Sequence, residues 1–236
     1  MIYIHHHLGL GDHIVCNALV RHLYEGHGPV RLAVKKRNYE SVRALYRDIE
    51  VDFHVVANDE PEAGDACKRE YKKYKTFRIG FEKRERGFRG SSGWEEDFYK
   101  QLGIDYACRY SDFYIQRDYK REQELHHILN PPSLFSFCAT TTSLGGHKIK
   151  LNTKLPQVRF HPHTHNIFDW IGILEAATEI HTVDTSIFHL IKQLNLKCKK
   201  VFYDVGRVVP RSPPTFEDGL WIKKILERDG TLSSPP

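Results

Sequence analysis

The chain has 236 residues, of which 40% are hydrophobic and 28% charged, and its net charge is +5. Such a composition belongs to an ordinary soluble globular protein, long enough for one large domain or two of about 100–120 residues each, and it excludes a disordered or fibrous chain. The basic residues are scattered among 30 acids, with short clusters at Lys35-Lys36-Arg37 and from Lys68 to Lys75; this mild positive field suits a phosphorylated small molecule, and no nucleic-acid partner is expected.

The five cysteines, Cys16, Cys67, Cys108, Cys138 and Cys198, are odd in number and none are spaced as CxxC, so free thiols in a reducing compartment are expected. No apolar run reaches about 18 residues, and the N-terminus lacks a signal-peptide pattern. A soluble, cytoplasmic protein without a membrane span is expected, in the host cytoplasm if the source is viral.

In chain order, Ile2 to His6 reads as a short strand, followed by a glycine turn and a helix from Asp12 to Glu25. In that helix Ile14, Ala18, Leu19 and Leu23 recur at helical spacing, and Gly26 and Gly28 end it. Val30 to Val34 predicts a strand, Tyr39 to Tyr46 a helix and Asp52 to Val56 a strand. Strand and helix in alternation imply parallel βαβ units. Glu60 to Lys75 reads as a charged helix, Phe77 to Ile79 as a strand, Glu82 to Gly93 as a loop, and Trp94 to Leu102 as a helix. Asp112 to Gln116 looks extended. A helix from Arg117 to Leu129 then runs into Asn130-Pro131-Pro132, a pair of prolines that cannot continue it.

Beyond the prolines the alternation restarts. Strands are predicted at Leu134 to Cys138, Gln157 to His161, Glu179 to Val183 and Lys200 to Tyr203. Helices are predicted at Ile167 to Ala177, Ser186 to Leu194 and Phe216 to Glu227, with a loop at Ala139 to Lys154. The chain thus reads as two α/β halves, residues 1–130 and 131–236, divided at the double proline.

Three groups of residues can carry chemistry. The first is His7-Leu8-Gly9-Leu10-Gly11-Asp12-His13, between the first strand and the first helix. Gly9 and Gly11 let the backbone turn sharply and let a ligand approach. A dinucleotide turn would read GxGxxG, but its third glycine position is Ile14, and Lys35-Lys36-Arg37 stands where an acid would hold a ribose. Asp12 is either a helix cap or a general base able to take the proton of a sugar hydroxyl, whose own pKa is very high.

The second group is Asp184-Thr185-Ser186 with His189, where a strand passes into a helix. These are good capping residues. With the backbone amides, their hydroxyls could equally hold a diphosphate at the positive helix end, without a metal. The third is His161-Pro162-His163-Thr164-His165, with Asp169 capping the helix beyond. Its alternate histidines are not a specific ligand pattern, and a loop touching nucleotide or sugar is the expectation. No DxD pair is present, which points to leaving-group stabilisation without a metal ion.

LGLGDHIVCNALVRHL resembles the opening of the bacterial lipopolysaccharide heptosyltransferases and related GT-B glycosyltransferases, which place a "GD" turn after the first strand. AATEIHTVDTSIFHLIKQL is similar to their donor-side strand, "DT/S…H" and helix, with Ser186 where the family often has Gly. FYKQLGIDY and RDYKREQEL look like segments of glycosyltransferase-like proteins of giant viruses, phages and marine bacteria. The resemblance implies a GT-B fold, with two small Rossmann-like domains facing each other across a cleft. It implies inverting transfer of a hexose or deoxyhexose from a nucleotide sugar, a UDP sugar for example, to a glycan acceptor, with no cofactor. Asp12 would be the base. Asp184, Thr185 and Ser186 would lie near the donor's diphosphate. From the residues' own chemistry, Gly9, Gly11, His161, His163 and His189 are expected to complete the donor site, and His13, Arg84, Arg86 and Arg89 to contact the acceptor or close the site. The rival readings are an NAD(P)-dependent Rossmann-like enzyme using Gly9 and Gly11, and a non-catalytic nucleotide- or glycan-binding module.

Overall fold

The computed structural model describes residues 1–81, 94–142, 145–146, 149, 151–161, 163–205 and 220–225. The chain divides into two compact units, Met1–Arg117 and Asp118–Pro236.

The first unit has four parallel strands: β1 (Ile2–His5), β2 (Val30–Lys35), β3 (Val51–Val56) and β4 (Lys75–Arg78). They pair in the order β3-β2-β1-β4. The inner strand β1 is buried along its whole length, whereas the edge strands β3 and β4 are partly exposed. The first unit's helices are α1 (Leu10–Val15), α2 (Asn17–His27), α3 (Tyr39–Leu45), α4 (Glu60–Glu70), α5 (Trp94–Gln101) and α6 (Cys108–Ser111). The helix expected from Asp12 to Glu25 is therefore two helices, interrupted at Cys16. The Tyr99 hydroxyl donates to the Val15 carbonyl at 2.8 Å, occupying an acceptor that a continuous helix would use for itself. Gly28 ends α2 at φ 76°, and its N–H donates to the Tyr24 carbonyl at 2.7 Å.

The second unit opens with α7 (Tyr119–Leu129), capped where Asp118 accepts from the Arg121 N–H at 3.2 Å. Asn130 ends it in the left-handed region, at φ 39°, just before the two prolines. β5 (Ser136–Ala139), β8 (Gln157–Arg159), β9 (Glu179–Thr182), β10 (Lys199–Asp204) and β11 (Trp221–Ile225) form a parallel sheet in the order β11-β10-β9-β5-β8. A short antiparallel pair, β6 (Thr141–Thr142) and β7 (Gly145–Gly146), lies in the expected 139–154 loop. α8 (Ile171–Ala176) follows a 3-10 turn over Ile167–Trp170, and α9 (Ser186–Gln193) follows β9. Trp170 packs edge to face on Phe137 and Phe160, ring centroids 5.8 and 5.0 Å away.

Two further differences from the sequence pattern concern β11 and α7. Residues 221–225, expected within a helix from Phe216 to Glu227, are an edge strand with Trp221 paired to Lys200 and Ile225 to Asp204. The run Trp-Ile-Lys-Lys-Ile fits either period, and packing of Trp221 on Phe188, ring centroids 5.5 Å apart, goes with the strand. The other is α7, which belongs to the second unit and packs on the 167–176 segment, so the two prolines that follow it make a turn inside that unit. The attachment is polar: Arg121 grips Asp169 with Nε–Oδ1 at 3.0 Å and Nη2–Oδ2 at 2.7 Å, and the Asn166 amide donates to the same carboxylate at 2.8 Å. Asp169, expected only to cap a helix, is 1% exposed. Arg121→Ala strands that buried carboxylate and is expected to lower stability by about 1–3 kcal/mol, read as a fall in the urea midpoint. Arg121→Met combined with Asp169→Leu should recover part of the loss; an unchanged midpoint in the single variant would show that the pair contributes nothing.

Candidate functional site

The strand order of the first unit reverses at β1, with β2 and β3 to one side and β4 to the other. In open parallel sheets ligands settle outside the carboxyl ends of the strands at such a reversal. There the chain leaves β1 and enters α1 through Gly9, the residue that caps the helix, at φ −70° and ψ 147°. Asp12 is thus not the cap but the third helical residue, half-buried, where the positive helix end favours a negative charge. Its carboxylate lies back over Gly9: a Cβ at position 9 would sit 2.4 Å from Asp12 Oδ2. Glycine at this position therefore keeps the space in which the carboxylate rests.

The turn is supported from below. Asn38 Nδ2 donates to the Leu8 carbonyl at 2.9 Å and ties the turn to the segment after β2. His6 and His13 are fully buried with their rings edge to face, centroids 4.4 Å apart. His6 Nδ1 donates to the His7 carbonyl at 2.6 Å, while His6 Nε2 and both His13 ring nitrogens have no hydrogen-bond partner among the described residues. Burial holds His6 down at about 4 and His13 well below the ordinary histidine value, so both are neutral near pH 7. Lys35, at the carboxyl end of β2, is 2% exposed and ion-pairs with Glu60. At the end of β4, Gly80 adopts φ +86°, and a Cβ there would meet the Phe98 ring at 2.4 Å and the His7 ring at 2.7 Å.

In the second unit the order reverses between β5 and β9. Asp184-Thr185-Ser186 leaves the carboxyl end of β9 at that point, half-buried. Thr185 is the cap of α9, yet its side chain accepts no N–H from the first turn; its hydroxyl donates to the Val183 carbonyl at 3.3 Å. The first-turn amides of an eight-residue helix are therefore not covered by their own cap. His189, one turn on, is buried at 6% exposure with Nε2 3.5 Å from Asp184 Oδ1. His161 and His163 follow β8 on the other side of β5, exposed, with rings 5.3 Å apart and His163 lying 6.0 Å from Trp170.

The residues singled out in the sequence thus fall into local groups. Gly9, Gly11 and Asp12 form one turn; Asp184, Thr185, Ser186 and His189 form another; His161 and His163 lie in the loop after β8. His13 is sealed under its turn, where an acceptor does not reach it. Arg84, Arg86 and Arg89 lie outside the described residues. The supporting contact of Asn38 and the ion pair of Lys35 with Glu60 involve chain distant in sequence, which residue order alone does not reveal. Among the described residues neither turn gathers three metal-ligating side chains within reach of one another. No helix among them is long and apolar enough to cross a membrane.

Two α/β units, each an open parallel sheet with a candidate turn at its reversal, define a protein of the GT-B architecture. No protein-family model and no curated protein sequence matches the chain. Among solved structures it is similar to the glycosyl transferase family 9 protein from Veillonella parvula, with a TM-score of 0.53 and 12% identity over 85% of this chain and 79% of that one. It is also similar to the E. coli ADP-heptose lipopolysaccharide heptosyltransferase II, with a TM-score of 0.50 and 12% identity over 96% of this chain and 90% of that one. A further likeness is to E. coli heptosyltransferase WaaC, with a TM-score of 0.48 and 13% identity over 98% of this chain and 94% of that one. At these identities the first two likenesses establish the fold.

The buried histidines give the first unit a pH dependence. They are neutral when folded and take up protons near 6.5 once unfolded, so the unfolded state binds more protons below that value. Stability is whole above pH 6.5 and falls as pH drops toward 4, by up to about 1.4 kcal/mol per pH unit for each histidine. Urea midpoints compared at pH 7 and pH 5 should show the loss. His13→Leu should flatten the slope by one histidine's share; an identical slope would mean that His13 is not held neutral.

Proposed function

We propose that the chain is a glycosyltransferase that moves a sugar from a nucleotide-sugar donor to a hydroxyl of a glycan acceptor, by an inverting, metal-independent reaction. One observation carries the proposal: in each unit, the turn that resembles the heptosyltransferases lies outside the carboxyl end of a strand at the reversal of its sheet. The fold shared with a family 9 glycosyl transferase and with an ADP-heptose heptosyltransferase supports it.

In this mechanism the second unit holds the donor. The uncapped first-turn amides of α9, with the Thr185 and Ser186 hydroxyls, take up the negative charge that grows on the departing diphosphate. Asp184 carries the wrong charge for phosphate and suits a donor hydroxyl, with His189 behind it. His161 and His163, exposed after β8, contact the nucleotide or sugar. Asp12 accepts the proton of the acceptor hydroxyl; the oxygen attacks the anomeric carbon from the face opposite the diphosphate, and the bond from that carbon to the diphosphate oxygen breaks. The proton ends on Asp12 and the electron pair on the nucleoside diphosphate. Gly9 leaves the Asp12 carboxylate in its resting place.

Thermal shift with ADP-heptose and with UDP and GDP sugars should identify a stabilising donor, and slow donor hydrolysis should follow with the same compound. Asp12→Asn should then lower transfer by about 10²–10⁴-fold, with donor affinity within a few-fold of the original. Normal turnover in that variant would remove Asp12 as base. Tight NADP binding with no response to any nucleoside diphosphate would overturn the proposal as a whole.

A further inference from the structure

Three metal-ligating side chains meet in the first unit, away from the turn after β1. His22 lies in the middle of α2, Cys108 opens α6, and Asp112 caps the C-terminal end of α6. The Asp112 N–H donates to the Cys108 carbonyl at 2.9 Å, closing one helical turn, so positions 108 and 112 share a face. One ligand atom from each residue, an imidazole nitrogen, the thiol sulfur and a carboxylate oxygen, lies within 4.8 Å of the other two. His22 Nε2 is 2.8 Å from Asp112 Oδ2, with the Cys108 sulfur beside them. A cation between the three ligand atoms would satisfy all of them.

The arrangement is held by bonds that do not involve the three ligand atoms. Asn17 Oδ1 on α2 accepts from the Tyr114 N–H at 3.0 Å, and Arg21 Nη2 donates to the Tyr114 carbonyl at 3.0 Å, which fixes the chain after α6 against α2. The Ser111 hydroxyl donates to Asp112 Oδ1 at 2.7 Å and turns the other oxygen toward His22. Such support orients a ligand before any metal arrives. The His22 and Asp112 side chains are 35% and 39% exposed, so ion and water reach the group from solvent.

We propose that His22, Cys108 and Asp112 form a zinc site with water as its fourth ligand. Thiolate with imidazole selects zinc over magnesium or calcium, and ligand bonds of about 2.0–2.3 Å require only a small closure of the present spacing. On binding, the Cys108 thiol proton is released to solvent and the imidazole proton moves to Nδ1, leaving Nε2 to ligate. The bound ion would tie α6 to α2. The site is independent of the proposed sugar transfer.

The test is titration of the chelator-treated full chain with Co²⁺, followed by absorbance. One equivalent should raise a thiolate-to-cobalt charge-transfer band in the near ultraviolet, and Zn²⁺ should abolish it. Cys108→Ser should remove the band, while Cys198→Ser, at the other partly exposed cysteine, should leave it. His22→Ala should keep the fold and weaken Co²⁺ binding by more than about 10-fold. Cobalt binding with no charge-transfer band, as the exposed histidines at 161–165 alone would give, would overturn the proposal. So would a band that survives Cys108→Ser.

Discussion

Parallel pairing governs both units. A strand cannot be joined to a parallel neighbour by a tight turn, so the chain must cross a face of the sheet and return, usually through a helix. That crossing covers the apolar faces of inner strands such as β1 and β5, which are buried along their length. It also brings every strand's carboxyl end to the same edge. Residues that leave β1 and β9 therefore emerge where their sheets reverse, and those that leave β8 emerge on the same carboxyl edge beyond β5; turns on such an edge are free to vary in sequence while the sheets carry stability.

Much of this was legible from period and punctuation. Short apolar runs marked β1 to β3, and glycines marked both ends of the first helical region. The halves were visible as two successive alternations. What escaped the sequence was set by partners far along the chain. At the break at Cys16 the Val15 carbonyl is bonded by Tyr99, and α7 in the second unit is held by Arg121 reaching Asp169. Two prolines are a strong local signal, yet a buried carboxylate holds the preceding helix on the far side of them. β11 was misjudged because five residues with two lysines fit a helix as well as an edge strand.

The candidate turns show the same division. Gly9, Gly11 and Asp12 could be named from their order, as could Asp184 to Ser186. Which residue caps which helix could not: Gly9 takes the position that the type of Asp12 suggested for itself, and Thr185 caps by backbone while its hydroxyl turns back to Val183. The meeting of His22 with Cys108 and Asp112 was beyond local inspection, since α6 must first fold back onto α2. His6 was expected at the end of the first strand and His13 as an acceptor contact. Their burial as uncharged rings follows from the sheet beneath them, since desolvation penalises the imidazolium.

The contact between Gly9 and Asp12 also bears on how variation at this turn would be perceived. A side chain at position 9 meets the mobile end of a carboxylate and no backbone, so the helix can accept it by swinging Asp12 to another rotamer. Selection for folded protein would then register position 9 as permissive. Selection for what the carboxylate does would register it as strict, and would relax only if position 12 changed as well. Positions 9 and 12 would then vary together, with glycine preserving the direction of the carboxylate.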